Sequence, residues 1–133
     1  MDGAENHARQ RLTDLRNGLL RLHRALLDSE RASYERDVAR IANPNEFLAL
    51  LMNDPWFAWL RELSGFIVAV DEALAADEPA TAQDADRLVA AARTLLAPAE
   101  GGKGFVRQYF EALQRDPDVI MAHSAMMKVL ALL

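Results

Sequence analysis

Three side chains in this sequence have the chemistry of a buried polar site: His23, Asp71 and His123. A carboxylate and two imidazoles that meet inside a protein can bind a metal or share a proton, because imidazole nitrogen is a metal donor and titrates near neutral pH. The surroundings of each residue fit that reading. His23 stands between two rows of leucines, His123 is centred on an apolar face, and Asp71 borders a hydrophobic helical face with Ser64 near it. The spacing lacks the signatures of known bundle metal sites, since no Glu is followed three residues later by His and no two His are four apart. A carboxylate-bridged di-iron centre is therefore not expected. The plainer alternative gives each His one hydrogen bond as a satisfied core or boundary residue, with no metal and no cofactor.

Other chemistries fail on spacing or residue type. Gly101-Gly102-Lys103-Gly104 superficially resembles a phosphate loop, but the strand before it, the longer glycine spacing and the Ser or Thr after the Lys are absent, so it reads as a helix connector. Ser29, Ser33, Ser64 and Ser124 lie within helical patterns, and none has the glycine-flanked turn of a nucleophilic serine. The acid pairs Asp71-Glu72 and Asp77-Glu78 are adjacent in sequence and point in different directions on a helix. Trp56, Phe57, Trp59 and Phe66 could line a ligand pocket, yet they fall at helical spacing in the most apolar helix, and Met126-Met127 suits gap filling. No catalytic residue is assigned.

These residues must be positioned by helices. The segment from Asp54 to Asp77, helical over about residues 55–76, carries the strongest apolar pattern: Trp56, Leu60, Leu63, Ile67, Val70 and Leu74 on one face, widened by Phe57, Trp59 and Phe66. Asp54 and Pro55 suit its N-cap and first position. Ala58, Gly65 and Ala69 form a small-residue strip where another backbone could approach. A helix so apolar needs cover on most sides, which places it at the centre of the bundle.

Before it, one long helix runs from about Glu5 to Ala42. Leu12, Leu15, Leu19, Leu22 and Leu26 keep a 3-4 rhythm, and a second row, Leu20, Leu27, Tyr34 and Ile41, repeats every seven residues with Val38 beside it. Between the rows runs a polar column, Arg16, His23, Glu30 and Asp37, which suits a partly wet strip or, alternatively, a dimer-specifying or buried ionic role. Asn43-Pro44-Asn45 ends this helix and a short one, Glu46 to Asn53, follows. Thr81 or Asp84 caps a helix with Leu88, Val89, Ala92, Leu95 and Leu96 on one face, stopping at Pro98. Phe105 to Leu113 forms about three turns, closed by Asp116-Pro117. A last helix, Asp118 to about Leu132, buries Val119, Ile120, Met126, Met127 and Leu130. No strand alternation and no internal repeat are evident. The predicted fold is an all-α bundle of five to six helices in a single domain spanning 1–133.

The composition excludes several functional classes. The chain has 133 residues, no cysteine and a net charge of −5, so thiol catalysis, disulfides and cysteine-based zinc sites are out. Residues 1–42 hold eight Arg against seven acids and residues 43–133 seven bases against thirteen. Because the arginines are interleaved with acids, no nucleic-acid partner is expected. No apolar run approaches a membrane span and the opening Met-Asp-Gly-Ala-Glu-Asn-His has no signal-peptide core, so no membrane partner and a cytoplasmic location are expected.

The run Asp54-Pro55-Trp56-Phe57-Ala58-Trp59-Leu60-Arg61, with Leu63-Ser64, Ile67-Val68 and Asp71-Glu72, resembles a group of uncharacterised bacterial helical proteins described as a domain of unknown function. Asp77-Glu78-Pro79 and Arg115-Asp116-Pro117-Asp118-Val119 extend the resemblance over most of the chain after residue 45. It implies a compact helical fold and supplies no activity or site residue. The function expected is a non-enzymatic bundle acting through an unidentified protein partner or as a homodimer through the N-terminal helix. The alternative is a small-molecule or metal-binding bundle using His23, Asp71 and His123.

Overall fold

The leucine rhythm of the N-terminal segment forms helix α1, Gly3–Asp37, in the computed structural model, which describes residues 3–133. Leu12, Leu15, Leu19, Leu22 and Leu26 are all buried to 1% exposure or less. The expected extension to Ala42 does not occur. Beyond Asp37 the N–H groups of Ile41 and Ala42 take the side chains of Glu35 and Glu46 as acceptors instead of helix carbonyls, so the chain turns while Ile41 stays in the core.

Helix α2, Pro44–Asn53, starts from an Asn43 side chain that accepts from the Glu46 N–H. The expected continuous helix over 55–76 is instead two elements, a 3-10 turn, Pro55–Leu60, and helix α3, Arg61–Ala75. Asp54 caps the 3-10 turn by accepting from the Trp56 N–H. A 3-10 turn has three residues per turn, so positions 57 and 60 stack on one side, which Leu63 continues into α3. Phe57, Leu60 and Leu63 are accordingly buried, whereas Trp56, which a uniform α-helix places on that face, is only half-buried.

Helix α4, Ala82–Leu95, opens with a capping box in which Thr81 and Asp84 each bond the other's backbone N–H. Both residues named from sequence serve in one motif. Gly104, at φ 61°, sets the entry to helix α5, Phe105–Arg115, a backbone region that favours glycine. Asp116 then caps helix α6, Pro117–Leu132. The described residues thus form six α-helices and one 3-10 turn with no strand, an all-α bundle.

Two elements share the centre of this bundle. Helix α1 packs against α3, α4, α6 and the 3-10 turn, and the 55–76 segment, the 3-10 turn with α3, packs against α1, α2, α4 and α5. Helix α3 leaves Glu62, Gly65, Val68, Ala69 and Glu72 exposed. Helix α1 reaches its share of the centre through length, because a 35-residue helix extends about 50 Å and offers several neighbours a flank at once. The expected small-residue approach at Gly65 is also absent: a Cβ built there meets nothing within 4 Å. The close approach lies at Gly18 on α1, where a Cβ would stand 2.8 Å from the sulfur of Met126 and 3.5 Å from Val129 on α6. On α6, Val119, Met126 and Leu130 are buried as expected, while Ile120 is 51% exposed and Met127 is half-buried.

Candidate functional site

The polar column of α1 is bonded rung by rung to the antiparallel segment formed by the 3-10 turn and α3. Arg16 pairs with Asp71, His23 Nε2 lies 2.8 Å from Ser64 Oγ, and Glu30 Oε1 accepts from Trp59 Nε1 at 2.8 Å. Successive rungs are one heptad apart on α1, a rise of about 10 Å. That spacing keeps His23 and Asp71 apart. Asp37, the last member of the column, is exposed and pairs with its neighbour Arg36.

His123 belongs to a different interface. Its Nδ1 is hydrogen-bonded to the hydroxyl of Tyr109, whose ring is fully buried and stacks in turn on Phe105, itself beside Trp59. Burial holds both imidazoles below the ordinary histidine pKa and pushes the Tyr109 phenol up, so at neutral pH all three are uncharged. His23, Asp71 and His123 therefore each have a separate partner, and the structure does not bring them into one site. Among the described residues no group of three or more His, Asp or Glu is placed to hold a metal ion.

What the column does build is a groove at Glu30. Glu30 is only 5% exposed, the sole acidic side chain buried among the described residues. Arg115, at the end of α5, reaches its second oxygen with one nitrogen at 3.4 Å. The groove beside this pair has a volume of about 530 Å³ and is walled by Pro55, Trp56, Ala58 and Trp59, with Gln108 at its edge. The Trp56 Nε1 donor is buried and has no hydrogen-bond acceptor. Sequence reasoning singled out Glu30 within the column and the tryptophans as an aromatic cluster. It did not join them, because Arg115 is 85 residues away from Glu30 along the chain.

A second feature is an apolar surface on α2. Phe47, Leu48, Leu50, Leu51 and Met52 occupy this helix, yet none of its residues is buried. Phe47 packs edge-on against Phe57 and lies under the Arg31 guanidinium, while Leu48 and Met52, one turn apart, are 56% and 65% exposed. At the C-terminal end of α2 the Arg61 guanidinium donates to the carbonyls of Met52 and Leu51, where a cation suits the helix dipole.

On the N-terminal helix, expected as a homodimer surface, the row Leu12, Leu15, Leu19, Leu22 and Leu26 is buried within the chain, while Leu20, in the second row, is 39% exposed. No helix among the described residues is long and apolar enough to cross a membrane. Comparison of the chain with protein-family models, with curated proteins and with solved structures finds no match.

Proposed function

We propose that this protein acts through protein–protein contact and not through catalysis, that α2 is its contact face, and that a second copy of the chain is the partner. The observation that carries this reading is a ten-residue helix with no buried residue, on which Leu48 and Met52 are exposed while Phe47, Leu50 and Leu51 pack partly buried against the core. Exposed apolar surface concentrated on one element marks an interaction site more often than scattered single residues do. Ile120 and Met121 on α6 are also exposed, but that helix already seats three residues in the core.

Charge favours a second copy. Glu46 lies at the start of α2 and Arg61 covers its end, both exposed. Two α2 helices crossing antiparallel about a two-fold axis set the Glu46 of each copy toward the Arg61 of the other, a self-complementary arrangement around Leu48 and Met52. A ten-residue helix is only about 15 Å long, so the contact falls toward the small end of stable interfaces and the dimer is weak.

Sedimentation velocity over a range of protein concentrations tests this. The wild type should move from monomer toward dimer, and Leu48→Gln with Met52→Gln should remain monomeric with an unchanged circular dichroism spectrum. A wild type that stays monomeric at the highest concentration overturns the reading. Association that survives the α2 substitutions but is abolished by Leu20→Gln would return the interface to the N-terminal helix.

A further inference from the structure

The Glu30 groove has no part in the α2 contact, and its composition is specific. We propose that it binds a free amino acid with an apolar side chain, the ammonium group on Glu30 and the carboxylate on Arg115.

Charge balance selects the ligand class. Glu30 and Arg115 together are neutral, so a zwitterion enters without leaving a net charge in a partly desolvated groove. A simple amine would be opposed by Arg115, and a simple carboxylate by Glu30. The existing pair is also poorly made: one nitrogen at 3.4 Å, compared with about 2.7–2.9 Å for a good charge-assisted bond. Glu30 keeps its other oxygen fixed by Trp59, which aims the carboxylate and leaves the Arg115 side able to exchange partners. The Glu30 side chain is 7% exposed and that of Arg115 34%, so the arginine is the partner free to swing toward an incoming carboxylate.

The walls supply the rest. Pro55, Ala58 and the two indoles form an apolar lining for an aliphatic or aromatic side chain. The volume of about 530 Å³ falls within the range of about 300–1,000 Å³ usual for small-molecule sites.

The chain contains two tryptophans and both line this groove, so intrinsic fluorescence reports on its occupancy. The experiment titrates the full chain with L-leucine and, in parallel, with isopentylamine and 4-methylpentanoate, which keep the side chain and one charge each. Leucine should give a saturable change, and each single-charge analogue should bind at least about tenfold more weakly. Arg115→Gln should weaken leucine about tenfold and lower the thermal midpoint by leaving Glu30 without its cation, while the circular dichroism spectrum shows the protein still folded. Glu30→Gln keeps an acceptor for Trp59 and should abolish the leucine response. No saturable change with leucine, an amine that binds as well as leucine, or an Arg115→Gln protein that binds normally each overturns the proposal.

Discussion

Substituting Gly18 by alanine sets two effects of known size against each other. In a helix interior Gly→Ala stabilises by about 1 kcal/mol through propensity alone. Gly18 is well inside α1, but its missing Cβ is the space in which Met126 sits, with the sulfur 2.8 Å and the terminal methyl 3.3 Å from where that carbon would be. Met126 is 1% exposed, so the flexible end of its side chain has to repack inside the core to make room. Overpacking of this kind costs about 1–3 kcal/mol, which exceeds the propensity gain or cancels it. Gly18→Ala should therefore be neutral or destabilising by up to about 2 kcal/mol. The decisive measurement repeats the substitution in a Met126→Ala background. That change alone costs about 2–5 kcal/mol and opens the space the new methyl needs. There Gly18→Ala should become stabilising by about 1 kcal/mol, so the double-mutant cycle shows a coupling of about 1–3 kcal/mol. Urea denaturation followed by circular dichroism reads all four proteins. If Gly18→Ala stabilises the wild type as much as it stabilises the Met126→Ala protein, α1 and α6 do not meet at Gly18 as described.

Two further outcomes follow from the core and from the histidines. Phe57→Ala should cost about 3–5 kcal/mol while Val68→Ala on α3 stays within about 0.5 kcal/mol, measured by the same denaturation; similar costs at the two sites would refute the burial of Phe57 and the exposure of Val68. His23 has a folded-state pKa below its ordinary 6.5, so the unfolded chain binds the extra proton first. The stabilising contribution is complete above 6.5 and is lost as pH falls below 6.5 toward the folded value. His123 adds a loss of the same sign. The urea midpoint should fall on acidification from pH 7, and His23→Gln, which retains a partner for Ser64, should flatten that fall; an identical slope in the variant would refute the assignment to His23.

Local rules in the sequence determined the fold class and most element boundaries. The 3-4 leucine rhythm selects α1, Asn43, Asp54, Thr81 and Asp116 each cap the element that follows them, and the prolines stop or start helices where the backbone requires it. Each depends on residues within a few positions of one another, so no knowledge of packing is needed. Tertiary structure decided what these helices turn toward. Hydrophobic periodicity marks a face without naming its neighbour, so the most apolar segment could be taken for the sole centre when the longest helix, α1, shares that place. The wheel also assumes one pitch, and the 3-10 turn after Asp54 changes it, exchanging Trp56 for Phe57 in the core. The candidate site shows the same division. Arg16, His23 and Glu30 were legible as a column because they are seven residues apart on one helix. Their partners Asp71, Ser64, Trp59 and Arg115 come from 29 to 85 residues away along the chain, and nothing in a linear pattern fixes which of two packed faces meets which. Only the crossing of α1 with the 3-10 turn and α3 separates His23 from Asp71 by a heptad, and only the arrival of α5 places Arg115 at the buried Glu30.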